Sequence, residues 1–212
     1  MAKTNAWMAA MALASVGLYV LLWVAWDMHW GWLEVVDSPA LNTLHAFGVR
    51  HPGWVTGWDV FCTVLGPNAF RLIGLATAAY AMMRRRWRVV GFLFVSIGLS
   101  GPLASLAKAL ADRPRPSTAL VVAPSSSFPS GHAVGVMVGV LALLAVQLPL
   151  TTGWQRRVAL SVGAVVIVAI GVGRVVLNVH HPSDVLAGWA LGYLYFYVCL
   201  HLLKPHRSSI DT

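Results

Sequence analysis

The sequence predicts an all-α fold: an integral membrane bundle of six transmembrane helices. Three observations lead there. Hydrophobic residues make up 58% of the chain and charged residues only 10%, whereas a soluble domain carries about a quarter charged residues. Six apolar runs each come close to the roughly twenty residues that cross a bilayer. The basic residues collect between alternate runs, as membrane topology sorts them. The net charge of +8 and pI of 10.2 therefore report orientation in a bilayer. The cations form no single stripe, and no nucleic-acid partner is expected.

The runs lie near 7–26, 56–83, 89–110, 131–150, 158–178 and 184–203. The first, from Trp7 to about Trp26, is longer than the hydrophobic region of a signal peptide. No small-residue cleavage site follows it, so it reads as a spanning helix. Segment 27–55 mixes tryptophans with polar groups and suits a piece of chain lying at headgroup level, with His29, His45 and His51 as surface residues. The second run is the least regular. It holds Asp59, Arg71 and a Gly66-Pro67-Asn68 break, which predict a kink or a partly interfacial stretch. Asp59 and Arg71 either pair or face the bundle interior. Cys62 and Cys199 are far apart in apolar surroundings, without the spacing of a metal site or a disulfide framework. There is no internal repeat and no linker, so residues 1–212 are expected to form one domain.

Short loops set the orientation. With a cytoplasmic N-terminus, the inner side holds Lys3, Arg84, Arg85, Arg86, Arg88, Arg156, Arg157, Lys204 and Arg207, nine of the 15 basic residues. The outer side holds Arg50, Lys108, Arg113, Arg115 and Arg174. The positive-inside rule then places both termini in the cytoplasm of a multi-pass cell-membrane protein.

Three polar stretches share the outer face: Lys108 to Pro116, the "FPSGHA" that opens the fourth run, and Gly173 to Asp184. Charges at the edge of a bilayer are expensive and mark functional sites. Lys108, Arg115 and Arg174 supply cations suited to a phosphoryl group, and arginine can hold one through two parallel hydrogen bonds. Ser130 can cap the fourth helix, and Gly131 lets an anion approach the backbone N–H groups at its positive end. His132 sits in the first turn, within reach of a bound group. Pro182 fits the first position of the sixth helix, which puts Asp184 in its first turn and His180 just before it. A carboxylate there can accept a hydrogen bond from one imidazole nitrogen and leave the other free to attack. Asp112 is the one other carboxylate in these stretches. A two-metal site would need several oxygen ligands, so neither metal nor cofactor is expected. Arg113 could be a fourth anion ligand or an interfacial anchor, and His181 is the residue that could be mistaken for the nucleophile.

Lys108 with Arg115-Pro116, then Pro129-Ser130-Gly131-His132, then Arg174, His180 and Asp184 resemble, in order and spacing, the three-part signature of the type 2 phosphatidic acid phosphatase (PAP2) family. The resemblance implies a metal-independent phosphatase of membrane lipids, working at the outer membrane face. It implies His180 as a nucleophile forming a phosphohistidine, Asp184 as its orienting partner, and His132 as general acid. Lys108, Arg115, Arg174, Ser130 and the Gly131 amide would hold the phosphate. One position departs from the pattern: the family usually has serine before the third-motif arginine, and here it is Gly173.

A polyprenyl diphosphate is the substrate expected for a chain this small, followed by phosphatidylglycerophosphate or phosphatidic acid. Phosphotransfer to another lipid would use the same residues. A non-catalytic lipid-phosphate binder or transporter would need the cations but not His132, His180 and Asp184 together. A vanadate-dependent haloperoxidase shares the site, but those relatives are largely soluble.

Overall fold

A computed structural model of the protein describes residues 2–205. Arg207, one of the nine cations assigned to the inner side, lies outside the described residues. Six stretches are long and apolar enough to cross a membrane: Ala6–Asp27, Pro52–Met83, Trp87–Ala111, Gly131–Leu150, Gly153–Val176 and Pro182–Leu203. No strand occurs among the described residues. The chain builds the first span as α1 (Ala2–Asp27), followed by α2 (Gly31–Arg50), which is not itself one of the six.

The second span divides into α3 (Pro52–Val64) and α4 (Pro67–Met83), at the predicted break. Pro67 stands at the start of α4, where a missing N–H costs nothing and the fixed φ favours a helix. The third span was expected to be one helix. Instead α5 (Trp87–Leu93) passes through a π-helical turn, Phe94–Gly98, into α6 (Leu99–Ala111). Pro102 explains the widening: its ring clashes with the carbonyl four residues back, at Gly98. Side chains bond to backbone carbonyls along this stretch. Ser96 Oγ donates to Phe92 O at 2.6 Å, Ser100 Oγ to Ile97 O at 2.7 Å, and Tyr195 OH to Val95 O at 2.7 Å. Within a bilayer, such bonds are what make an irregular turn tolerable.

The remaining spans are α7 (Gly131–Gln147), continued by a 3-10 turn at Leu148–Leu150, then α8 (Gly153–Val176) and α9 (Pro182–Leu203). Helix α7 is the axis of the bundle and packs on α4, α6, α8 and α9. Two small-residue pairs allow this. A Cβ at Gly139 would meet Phe70 Cβ at 2.5 Å, and one at Gly135 would meet Pro67 Cβ at 2.8 Å, so α4 lies close against one side. On the other side, a Cβ at Gly188 would meet Ser130 O at 2.7 Å, and one at Gly192 would meet Val134 O at 3.0 Å. Close backbone approach through glycines four apart is a standard way for membrane helices to gain dispersion contacts. Gly188→Ala therefore overpacks the α7–α9 seam beside Ser130, and is expected to cost about 1–3 kcal/mol. A lowered midpoint of thermal inactivation in detergent would show it.

Segment 27–55 is largely helical. Helix α2 buries Leu33, Asp37, Leu41 and Gly48 and leaves most of its other side chains exposed. That spacing is one face of a 3.6-residue helix, and it packs on α8 and α9. His29 and His51 are exposed as expected, and His45 Nδ1 lies 2.9 Å from Thr118 O.

Candidate active site

The three polar stretches meet at one end of the bundle, where α6 ends, α7 begins, and α8 turns into α9. Lys108 is in the last turn of α6, and its Nζ donates to Ser126 O while Ser126 Oγ donates back to Lys108 O at 2.9 Å. Arg115 follows on the loop. Its Nε donates to Ser125 O at 3.0 Å, Nη2 to Pro124 O at 2.9 Å and Nη1 to Val179 O at 2.6 Å. The same Nη1 stands 3.2 Å from His180 Nε2. Burial first, and then the nearby Arg174 charge, lower the Arg115 pKa below its ordinary value. An anion would relieve that repulsion.

Arg174, near the end of α8, is 7% exposed, and its Nε has no hydrogen-bond partner among the described residues. None of the described carboxylates forms an ion pair with it. Ser130 caps α7 as expected, its Oγ accepting from Ala133 N at 3.5 Å, while its own N–H donates to Asp184 O at 2.9 Å. Gly131 opens α7 with Lys108 Cε against it, 3.5 Å from where a Cβ would stand. His132 packs against Gly66, where a Cβ would come within 3.3 Å of its Nε2. Lys108, Gly131 and His132 open onto a cleft of about 710 Å³ together with Asn68, Arg71 and Ser105.

His180 is 2% exposed, and its two nitrogens face opposite ways. Nε2 looks toward Arg115, while Nδ1 lies 3.4 Å from Ser127 Oγ and 3.6 Å from Asp184 Oδ2. The expected carboxylate–imidazole pair thus has the right direction but exceeds hydrogen-bond length. The reason is that Asp184 is already engaged. Its Oδ2 accepts from Ser127 Oγ, from His181 N at 2.8 Å and sits 3.1 Å from His181 Nδ1, and its Oδ1 accepts from Arg113 Nη1 at 2.7 Å. Ser127 is the side chain that touches both. His181 serves as N-cap of α9, in a reciprocal arrangement with Asp184. Burial draws the His180 pKa down to about 4, against the opposing pull of Asp184. Its imidazole is therefore neutral near pH 7.

Three residues here escaped the sequence reading or were left undecided by it. Arg113 is neither an anion ligand nor an interfacial anchor. Its guanidinium forks between two buried carboxylates, Asp37 at 2.8 Å and Asp184 at 2.7 Å, and lies 5.0 Å from the Trp26 ring centroid. Asp37 in turn accepts from Ser183 N at 2.9 Å and Ser183 Oγ at 2.6 Å, so it satisfies the start of α9. The one signal for Asp37 was its place four residues from both Leu33 and Leu41, on the apolar face of α2. Ser127 carried only the hint of a serine run ahead of the α7 cap.

Compared with known proteins, the chain matches the PAP2 superfamily over residues 89–208. It belongs to that family. It is 34% identical over 156 residues to phosphatidylglycerophosphatase B of Bacillus subtilis, covering 71% of this chain and 75% of that protein. It is 31% identical over 164 residues to decaprenylphosphoryl-5-phosphoribose phosphatase of Mycobacterium tuberculosis, covering 74% and 78%. A lipid A 1-phosphatase of Rhizobium johnstonii is 31% identical over 179 residues, covering 74% and 68%. The fold is that of a transmembrane PAP2 type phosphatidylglycerolphosphate phosphatase from Bacillus subtilis, with a TM-score of 0.79 at 23% identity, over 93% of this chain and 98% of that one.

The departure from the PAP2 pattern at Gly173 has a packing cause. A Cβ there would meet Cys62 Sγ at 2.5 Å and Trp58 Cε3 at 2.8 Å, both on α3. Helix α3 fills the space a serine would need, and its Cys62 thiol lies beside the Arg174 guanidinium. Both cysteines are free and buried.

Proposed function

We propose that this PAP2 protein is a membrane lipid phosphatase that acts through a phosphohistidine on His180. The observation that carries the reading is the buried His180 with Nε2 turned to Arg115 and Nδ1 turned to Ser127 and Asp184. Lys108, Arg115, Arg174, the Ser130 hydroxyl and the Gly131 N–H hold the phosphate oxygens and gain strength as charge builds on them. The Nε2 lone pair attacks phosphorus, the bond from phosphorus to the lipid oxygen breaks, and His132 gives its proton to that oxygen. Water then attacks the phosphohistidine, His132 takes a proton from it, and inorganic phosphate leaves with His180 restored. The chemistry needs no metal.

The site opens at the extracytoplasmic face in this reading. Arg84, Arg85, Arg86, Arg88, Arg156, Arg157 and Lys204 sit at the other end of the bundle, which the positive-inside rule assigns to the cytoplasm. The names of the relatives put phosphatidylglycerophosphate first among substrates to test, and the polyprenyl diphosphate expected from the sequence second.

The test is rapid-quench labelling with EDTA present and a lipid carrying radiolabelled terminal phosphate. The expected result is label on the protein that survives alkali and is lost in acid, the behaviour of phosphohistidine. Phosphate release should be undiminished by EDTA, and both signals should disappear in His180→Ala. Label that persists in that variant would sink the assignment.

A pH profile gives an independent check. The folded His180 pKa is lowered, to about 4, so the nucleophile stays unprotonated well below the ordinary histidine value of about 6.5. The acid limb of kcat/KM, corrected for ionisation of the substrate, is expected near pH 4. A limb at 6.5 would mean that His180 is not buried and neutral in the working enzyme.

A further inference from the structure

Arg71 is not used by the mechanism above, although it stands inside a membrane span, where an arginine is expensive and rarely idle. Of the two expectations for it, pairing with Asp59 does not occur. Its Nη1 donates to Asn68 Oδ1 at 2.7 Å, and none of the described carboxylates forms an ion pair with it. Its Nη2 reaches across to α6, where a Cβ on Gly101 would meet it at 2.5 Å. Arg71 is exposed, and Asn68 together with the gap that glycine leaves directs its guanidinium toward α6.

That place joins two cavities. Arg71 lines the 710 Å³ cleft with Lys108, Gly131 and His132. It also lines an apolar groove of about 440 Å³ between α4 and the α5–π segment, walled by Gly74, Ala78, Leu93, Phe94 and Ile97. A lipid whose reacting phosphate meets Lys108 and whose chain follows the groove must carry past Arg71 whatever joins the two. We propose that Arg71 binds a second, internal anion of the substrate, a phosphodiester set one short polyol spacer below the phosphomonoester that is cleaved. The proposal rests on the phosphatase reading and names the substrate class of that site.

Depth and charge both favour this anion. Gly101 is seven residues below Lys108 on α6, about 10 Å along the helix axis at 1.5 Å per residue. Two phosphates sharing a single bridging oxygen are too close together to occupy both levels. A spacer of a few carbons fits. The two unesterified oxygens of a phosphodiester match the planar fork of arginine, and Asn68 leaves the other guanidinium donors free to provide it. Phosphatidylglycerophosphate has this layout, while phosphatidic acid lacks the second anion and a polyprenyl diphosphate has it directly adjacent.

The experiment compares kcat/KM on these three lipids in mixed micelles for wild type, Arg71→Gln, Arg71→Lys and Gly101→Ala. Charge-assisted hydrogen bonds to a phosphate are worth about 1.5–3 kcal/mol each. The ratio of kcat/KM on phosphatidylglycerophosphate to that on phosphatidic acid is therefore expected to fall about 10–100-fold in Arg71→Gln. Arg71→Lys should recover part of it. Gly101→Ala displaces the guanidinium without removing its charge, and should lower the ratio in the same sense. A parallel arm measures binding of short-chain forms of the lipids to His180→Ala protein, with and without Arg71→Gln, and needs no turnover. If wild type releases no phosphate from any lipid, the phosphatase reading fails, and the binding arm still decides the role of Arg71. A ratio that does not change, in rate or in binding, overturns the proposal.

Discussion

Arg113→Ala is expected to cost about 3–5 kcal/mol of stability, the penalty for removing one partner from a buried ion pair. Against a typical total of about 5–15 kcal/mol, that is a large share of the stability, and the midpoint of thermal inactivation should fall sharply. The size follows from what is left behind. Asp37 and Asp184 have side chains 2% and 0% exposed, and Arg113 is the cation paired with both. Deleting it leaves two buried carboxylates without the cation they share. Arg113→Lys keeps the charge but loses the fork, since one ammonium cannot meet both carboxylates with planar, parallel geometry. It should fold and lose activity as Asp184 shifts away from Ser127 and His180. Lys108→Ala gives the contrasting result: near-normal thermal stability with a large loss of kcat/KM, because its role is toward substrate. Thermal inactivation in detergent, measured beside phosphate release, separates these cases. Wild-type stability in Arg113→Ala with only a raised KM would return Arg113 to the phosphate ligands.

The contrast shows which features were legible in the sequence. Span length and charge distribution are local properties, so the six runs appear in the structure with ends displaced by a few residues. Pro182 was legible as a helix start and Pro67 as a break, because the missing N–H has the same consequence wherever it occurs. The eight residues expected to form the site fall at one end of the bundle because alternate spans reverse direction. Arg113 and Asp37 could not be read that way. They are 76 residues apart, on a loop and on a helix outside the six spans, and nothing periodic links them. The four-residue step from His180 to Asp184 suggested a direct bond. The structure gives 3.6 Å instead, because the helix start and Arg113 compete for the same carboxylate and Ser127 stands between. Helix spacing predicts which groups are neighbours, and the other claims on each oxygen decide which bonds form.

Gly173→Ser restores the family's usual residue, yet it is expected to make the enzyme worse. The new Cβ would lie 2.5 Å from Cys62 Sγ and 2.8 Å from Trp58 Cε3, and real side chains do not approach that closely. Helix α3 must therefore move, at a cost of about 1–3 kcal/mol for overpacking. The movement starts one residue from Arg174, whose guanidinium lies beside the Cys62 thiol. The hydroxyl could return about 1.5–3 kcal/mol on a charged phosphate if it arrived in place. It cannot arrive in place while α3 occupies its volume, so kcat/KM should fall about tenfold or more, with a lower melting point. Adding Cys62→Ala removes the nearest obstacle and leaves the Trp58 ring. The double variant should recover most of the stability and bind phosphate more tightly than the single. Strong coupling between positions 62 and 173 in that cycle is the signature of a shared volume. If Gly173→Ser alone melts like wild type and works faster, α3 yields freely, and the missing hydroxyl is a real deficit of the site.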